Sequence, residues 1–263
     1  MSYKKINKAM IILKKISSIL LVLIGLSGCF SEKKDEVGTL TVGSSIDYPP
    51  FEFFQNGNMV GFDMDLINEI AKRLNYKVKI KDMSFDSIIG ALQSNRIDLA
   101  ISSLSPTPSR LNAVDFSMLY NVSNLSVVSL KKNPITEINE LKNKTVGVQS
   151  GSIYEHYVSK NLNTKNYNIK IKQLPKIPDL IQDLKSNRVS GIIMGSQEAI
   201  GVVTSQKNLV MDMIPVFDTE KTVLGQAIAF PKGSKLKEKV NKIINEMNSD
   251  GSMEKIKKKW NIL

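Results

Sequence analysis

Residues 97–110 read Ile-Asp-Leu-Ala-Ile-Ser-Ser-Leu-Ser-Pro-Thr-Pro-Ser-Arg, a short apolar run followed at once by hydroxyl side chains, two prolines and an arginine. The run at 97–101 predicts a buried strand, and the prolines end it. In open α/β sheets, ligands bind beyond the carboxyl ends of the strands. An arginine fork holds a carboxylate through two charge-assisted hydrogen bonds. Taken alone, residues 97–110 fit a ligand-binding loop and an exposed turn with a solvated arginine equally well.

On both sides of this segment, short β-rich runs alternate with helical patterns, as in α/β proteins built from βαβ units. Leu40 and Val42 open a strand, and Asn56-Gly57 predicts the tight turn of a hairpin. Apolar residues at helical spacing predict a helix over residues 63–75. The same alternation restarts near Leu125. Two α/β lobes of about 90 to 130 residues fit this pattern better than one continuous sheet.

Two other loops follow predicted strands and are expected to open on the same edge of the sheet. Residues 44–51 follow the first strand, and Ser84-Phe85-Asp86 follows the strand at 78–80. Tyr48 and Phe85 can form apolar walls there, which favour an aliphatic or a cationic side chain through packing or cation–π attraction. The alternative for both aromatic residues is ordinary core packing.

The sequence carries no recognisable catalytic motif. Its single histidine, His156, lies on a predicted helix without a second histidine, a cysteine or an acid at ligand spacing, so neither a metal site nor a cofactor is predicted. Nucleophile-elbow, phosphate-loop and metalloprotease motifs are missing. Asp63 and Asp65 lie at a helix start, where acids favour the macrodipole and need no catalytic role. The sequence gives no positive evidence for an enzyme.

The N-terminal segment has the features of an export signal. Five lysines and no acid precede or border an apolar run at 16–26, which is shorter than the ~20 residues that a membrane helix needs. Leu26-Ser-Gly-Cys29 follows and resembles the bacterial lipobox, in which the cysteine receives a diacylglyceryl group. We therefore predict a lipoprotein signal peptide at 1–28, a lipid anchor at Cys29 and a flexible tether to residue 38.

Net charge does not point to nucleic acid. Removal of residues 1–28 takes five of the 36 basic residues and no acid, so 31 basic residues face 25 acids and the excess falls from +11 to +6. The remaining lysines are scattered along predicted helices rather than grouped in a block. We therefore interpret these lysines as a solvated surface. An exported protein is also separated from the chromosomal DNA that a basic patch would bind.

From Leu40 onward, the sequence resembles the polar amino-acid-binding proteins of ABC importers, and most of all their arginine-binding branch. The motifs that carry the resemblance occur in family order. They are Tyr-Pro-Pro-Phe-Glu-Phe (48–53), Gly-Phe-Asp-Met-Asp-Leu (61–66), Ser-Phe-Asp-Ser-Ile-Ile (84–89), Arg-Ile-Asp-Leu-Ala (96–100), the hydroxyl loop 102–110, Thr-Val-Gly-Val-Gln-Ser-Gly-Ser (145–152) and the closing segment 251–260.

The resemblance implies a two-lobed periplasmic-binding-protein-like α/β fold of type II, with the ligand in the cleft between the lobes. On this pattern the first lobe comprises residues 39–121 with 224–263, the second comprises 122–223, and two crossing strands join them. The first lobe receives the C-terminal helices.

The resemblance also implies roles for individual residues. Arg110 grips the ligand α-carboxylate, and Ser152 approaches it from the second lobe at a helix N-terminus, a position favourable to anions. Tyr48 and Phe85 hold the ligand side chain. The full set placed around the ligand is Ser45, Tyr48, Phe85, Ser102, Ser103, Ser105, Arg110, Gln149, Ser152 and Gly195.

Two positions depart from the family pattern. After residues 191–194 the family commonly places an acid that pairs with the α-ammonium group, but this chain has Gly195 there. Ser45 stands where some binders of basic amino acids carry an acid. Either another acid, Asp47 or Glu198, compensates, or the ligand is less cationic than arginine.

We therefore expect a monomeric, lipid-anchored clamp that faces the periplasm or the cell exterior. It captures a polar amino acid, arginine or another basic one being favoured, and delivers it to the permease of an ABC importer. Two alternatives stay open: a dehydratase of the same scaffold that acts on small carboxylic acids, and a surface receptor or adhesin without transport.

Overall fold

The computed structural model describes residues 37–214 and 224–262. The predicted signal peptide, the anchor at Cys29 and most of the tether lie outside the described residues. The strands are β1 Gly38–Ser44, β2 Phe53–Gln55, β3 Asn58–Val60, β4 Tyr76–Asp82, β5 Leu99–Ala100, β6 Asp115–Phe116, β7 Asn121–Val122, β8 Leu125–Leu130, β9 Thr145–Gln149, β10 Lys170–Leu174, β11 Gly191–Gly195, β12 Leu209–Met213, β13 Gly225–Gln226 and β14 Ala229–Phe230. The α-helices are α1 Phe62–Arg73, α2 Ile88–Gln93, α3 Pro108–Ala113, α4 Ile153–His156, α5 Ile177–Lys185, α6 Ser196–Ser205, α7 Leu236–Ser249 and α8 Ser252–Lys259.

The first lobe is built on a five-stranded sheet in the order β4-β1-β5-β14-β6. Strands β4, β1 and β5 are parallel, and β14 runs antiparallel to β5 and β6. The apolar stripe predicted for the first helix is present, because Leu66, Ile67 and Ile70 of α1 are fully buried in the core. The predicted hairpin is also present, with Asn56 and Gly57 both at positive φ in the turn.

A second five-stranded sheet has the order β10-β9-β11-β8-β12 and forms the other lobe. Its first three strands are parallel, whereas β8 runs antiparallel to both β11 and β12. All six residues of β8, Leu-Ser-Val-Val-Ser-Leu, are buried, which accounts for the mostly apolar sequence of this strand. The carboxyl ends of β9 and β11 lead directly into the segments that begin α4 and α6.

Two short strands form a ribbon apart from both sheets. Val122 of β7 pairs antiparallel with Gly225 of β13, and Asn121 pairs with Gln226. The C-terminal helices pack on the first lobe, where Ile244 and Met247 join the core that contains α1. The predicted two-lobed α/β fold is present, while the residue boundaries predicted for the lobes stay a prediction.

Two local predictions differ from the structure in extent. The strand expected over residues 97–101 pairs only at Leu99–Ala100, and the Asp98 carboxylate accepts a hydrogen bond from Thr41 N at 2.7 Å on its flank. The predicted helix that carries His156 begins at Ile153 and changes to a wider π turn over Tyr157–Leu162. Among the described helices, none is both long and apolar enough to span a bilayer.

Candidate functional site

Most of the predicted ligand-contacting residues surround one small cavity between the two sheets, with a volume of about 20 Å³. The first lobe supplies the hydroxyl loop and two aromatic residues, and the second supplies the end of β9 and the start of α4. The cavity is lined by Tyr48, Phe85, Ser103, Ser105, Arg110, Gln149 and Ser152, which were predicted, and by Ile153 and Tyr154, which were not. These seven assignments now share one location, and their roles toward a ligand stay predictions.

Arg110 is a buried cation held by neutral groups. Its Nη1 donates to Ser105 O at 2.9 Å, its Nη2 donates to Gly151 O across the cleft at 3.0 Å, and its guanidinium lies 5.4 Å from the centre of the Phe85 ring. Burial lowers the pKa of Arg110 to about 10, so it remains charged at neutral pH. Among the described residues no carboxylate pairs with it. The site therefore presents an uncompensated positive charge.

Two cavity hydroxyls have unused hydrogen-bonding capacity. Ser103 Oγ and Ser152 Oγ are shielded from solvent and have no partner among the described residues. Ser103 also has φ +46°, a left-handed conformation that costs a non-glycine residue roughly 1–2 kcal/mol. Its backbone N donates to Asp63 Oδ2 at 3.0 Å, which holds the strained loop in place. Unpaired hydroxyls and strain at one wall are typical of a site shaped for a ligand.

Three predicted residues do not line this cavity. Ser102 is fully buried behind it, where its hydroxyl accepts from Ser45 N and donates to Glu52 Oε1, both at 3.0 Å. Ser45 Oγ donates to Asp47 Oδ1 at 2.9 Å. Gly195 approaches the cleft through its backbone, and its N–H lies 3.5 Å from Tyr48 Oη. These contacts give the three residues supporting positions, and direct ligand contacts for them stay predictions.

Tyr154, the second residue of α4, was not predicted to line the site. Its phenol hydrogen-bonds to Tyr48 and lies close to Gly195 and to the carboxylate of Glu198. Burial and the charge of Glu198 raise the pKa of this phenol, and its hydrogen bond to Tyr48 lowers it. The available signal was Ser152, since the next helical residues after a predicted helix N-terminus face the same cleft.

The lobes touch on the rim of the cavity as well. Asp47 Oδ2 of the first lobe accepts from Ile177 N, at the start of α5, at 2.9 Å. Lys176 Nζ lies 3.1 Å from Asp82 Oδ1. A cavity of about 20 Å³ holds a water molecule but no amino acid. The structure is therefore a closed conformation, and entry of a larger ligand requires the lobes to separate.

A pair of buried carboxyl groups supports the floor of the cavity. Glu52 and Asp63 are 1% and 0% exposed, and their carboxyl groups are close neighbours in the core. Two of their oxygens, Glu52 Oε2 and Asp63 Oδ1, have no hydrogen-bond partner among the described residues. Burial and the neighbouring Asp63 charge raise the pKa of Glu52 well above its ordinary value. A single proton shared by the two groups satisfies both oxygens.

A family model described as bacterial extracellular solute-binding proteins, family 3, matches residues 40–262. The chain belongs to this family. Its membership agrees with the predictions of a binding protein rather than an enzyme and of the two-lobed fold. Within the described residues, no group of three or more histidine, cysteine or acidic side chains is arranged to hold a metal ion in this solute-binding protein.

Known proteins extend the comparison. The arginine-binding extracellular protein ArtP of Bacillus subtilis is 42% identical over 234 residues, which cover 89% of each chain. An ancestral arginine-binding protein solved with arginine is 39% identical with a TM-score of 0.77, over 85% of this chain and 98% of that one. The substrate-binding protein of an amino acid ABC transporter is 36% identical with a TM-score of 0.78, over 85% and 99%. These solute-binding proteins share the fold over nearly the whole described chain.

The shared proton predicts a distinct pH dependence for Glu52→Gln. Folded wild type keeps the proton above pH 4.5, the ordinary pKa of this side chain, whereas the unfolded chain releases it. The contribution of Glu52 to wild-type stability therefore falls as the pH rises above 4.5, by about 1.4 kcal/mol per unit while this one proton separates the folded and unfolded states. The glutamine amide donates to Asp63 without titrating, so we expect the variant to gain stability relative to wild type as pH rises.

Urea unfolding from about pH 5 to about pH 7.5 measures this difference. Glu246→Gln, which removes an exposed acid of α7, is the control for the loss of one negative charge. A stability difference between Glu52→Gln and wild type that does not change with pH would contradict the protonated Glu52.

Proposed function

We propose that this protein is the extracytoplasmic binding component of an amino-acid ABC importer, with arginine as its favoured ligand. The observation that carries the proposal is the convergence of Arg110, Ser103 Oγ and Ser152 Oγ on one interlobe cavity. All three are buried donors without an anionic partner among the described residues. A carboxylate placed between the lobes accepts from all of them, so a ligand α-carboxylate stabilises the closed clamp.

The walls favour a long cationic side chain. Tyr48 and Phe85 line the cavity, and Phe85 already lies beneath a guanidinium, that of Arg110. Gln149 also lines it and places its Nε2 3.5 Å from the Asp47 carboxylate, which adds negative charge behind that wall. Flat aromatic rings and a nearby acid attract a guanidinium or ammonium group. ArtP and the ancestral protein are both arginine-binding proteins, which favours the same ligand class here.

A thermal-shift screen over the twenty amino acids tests the ligand assignment. We expect arginine to raise the melting temperature most, because a ligand at 100 times its dissociation constant stabilises the folded state by about 2.7 kcal/mol. An ancestral relative was also solved with glutamine, so glutamine is the informative uncharged comparison. If arginine, lysine and histidine all leave the melting temperature unchanged, the basic-ligand assignment is wrong.

Arg110→Ala tests the carboxylate contact. The change leaves a desolvated ligand carboxylate without its cation, which we expect to weaken arginine binding by about 3 to 5 kcal/mol. Arg110→Lys retains the charge without the fork and is expected to lose less. Arg96→Ala, an exposed arginine of the same lobe, is the matched control. Calorimetry that finds wild-type affinity in Arg110→Ala would rule out this role.

We propose further that the chain is tethered by lipid at Cys29 and works as a monomer beside its permease. A tether keeps a clamp at high local concentration next to the membrane protein that it serves. Two or more acyl chains on one cysteine hold more firmly than the single chain that gives only reversible membrane binding.

Cys29→Ser tests the anchor and its purpose together. We expect the variant to leave the membrane fraction and to appear in the soluble extracytoplasmic fraction, because no acyl chain holds it. Uptake of radiolabelled arginine by cells that depend on this protein is expected to fall, while purified variant binds arginine as well as the wild-type soluble domain does. A variant that remains with membranes after a salt wash would contradict lipid attachment at Cys29.

A further inference from the structure

Glu198 is a buried acid without a cationic partner. It lies in the first turn of α6 and is 0% exposed. Its Oε1 accepts from Gln226 Nε2 at 2.7 Å, its Oε2 has a long contact of 3.4 Å from Ser123 Oγ, and the carboxylate also accepts from the backbone N–H of Glu198 itself. No lysine, arginine or histidine among residues 37–214 and 224–262 forms an ion pair with it. A buried carboxylate left in this state is costly unless a positive charge reaches it.

The carboxylate of Glu198 occupies the space above Gly195. A Cβ atom built on Gly195 meets Glu198 Oε2 at 2.0 Å and Tyr154 Oη at 3.0 Å. A side chain at position 195 and the present position of the Glu198 carboxylate therefore exclude each other. The glycine at position 195 therefore leaves free the space that the Glu198 carboxylate fills.

Glu198 lies beside the ligand cavity and opposite in sign to Arg110. A second cavity, of about 10 Å³, is lined by Ser103 and Ser105 of the hydroxyl loop and by Ser123 and Gln226, the two partners of Glu198. Tyr154 borders both cavities. Burial raises the pKa of this tyrosine, the Glu198 charge raises it further and the Arg110 charge lowers it, so both charges lie near one phenol.

We infer that Glu198 is the counterion of the ligand α-ammonium group and supplies from α6 the charge that position 195 lacks. The inference rests on the proposed amino-acid ligand. A zwitterion that presents its carboxylate to Arg110 can turn its ammonium group toward the second cavity, whose wall includes Ser123 and Gln226, the two side-chain partners of Glu198. Burial raises the pKa of Glu198 to about 7 in the ligand-free protein, and the ammonium charge favours its ionised form.

The test compares two ligands in two proteins by calorimetry. The ligands are arginine and 5-guanidinopentanoic acid, which is arginine without its α-amino group. We expect wild type to prefer arginine by about 30-fold or more, as for a buried charge pair. Glu198→Gln keeps the size of the side chain and removes its charge, so we expect its preference for arginine to fall to about threefold or less.

Glu238→Gln removes an exposed acid of α7 and is expected to keep the wild-type preference. Gly195→Asp with Glu198→Ala moves the acid to position 195 and is expected to recover the preference for arginine. Gly195→Asp alone is expected to bind both ligands more weakly than wild type, because its Cβ atom collides with the Glu198 carboxylate. If Glu198→Gln folds poorly, Glu198→Ala without the change at Gly195 replaces it, and its preference for arginine is expected to fall in the same way.

An unchanged preference in Glu198→Gln, or an equal weakening of both ligands, would overturn the inference while leaving amino-acid binding intact. Wild-type protein that binds neither arginine nor any other amino acid would overturn the proposed function itself. The two failures are therefore distinguished by the wild-type measurement.

Discussion

The buried carboxyl pair Glu52–Asp63 is the constraint on which the site depends. Asp63 Oδ2 accepts from Ser103 N and from Tyr120 Oη, both at 3.0 Å, so one carboxylate joins the first turn of α1 to the ligand loop and to the residue before β7. Glu52 extends the network to the loop after β1 through Ser102. Because these groups are buried and hydrogen-bonded to the surrounding loops, the loops keep one geometry before a ligand arrives, which lowers the ordering cost of binding.

The positions of Arg110 and Glu198 explain how a ligand would favour closure of the two lobes. Arg110 belongs to the first lobe and Glu198 to the second, and neither has a counterion in the described chain. Rim contacts such as Lys176–Asp82 are partly exposed and contribute little. In the proposed binding mode, a bound zwitterion places one charge opposite Arg110 and the other opposite Glu198. Such a ligand would have the differential affinity for the closed state that a population shift requires.

The helices, strands and ligand loop could be predicted from the sequence because their sequence signals are local. Helical spacing located α1, a β-rich run located β8, and the hydroxyl loop was assigned from its place after a strand. The sequence predicted that Asp63 is an ordinary acid at a helix start. In the structure, Asp63 is fully buried. Its neighbour Asp65 lies nearer the surface and accepts a hydrogen bond from Trp260 Nε1 at 2.7 Å. The difference is set by residues 40 to 195 positions away in sequence, as Ser103 and Trp260 show. Periodicity carries no information about such partners.

The relation between Gly195 and Glu198 follows from helix geometry. Side chains on a helix point back toward its N-terminus, so a residue in the first turn covers the end of the strand that precedes the helix. An acid can therefore move three positions along the chain and return its carboxylate to nearly the same place, provided that the vacated position is glycine. Glu198 is hydrogen-bonded to Gln226, which itself accepts from Asn121 within the ribbon of β7 and β13. In the role proposed for Glu198, a ligand ammonium group is therefore connected to this ribbon through one buried carboxylate.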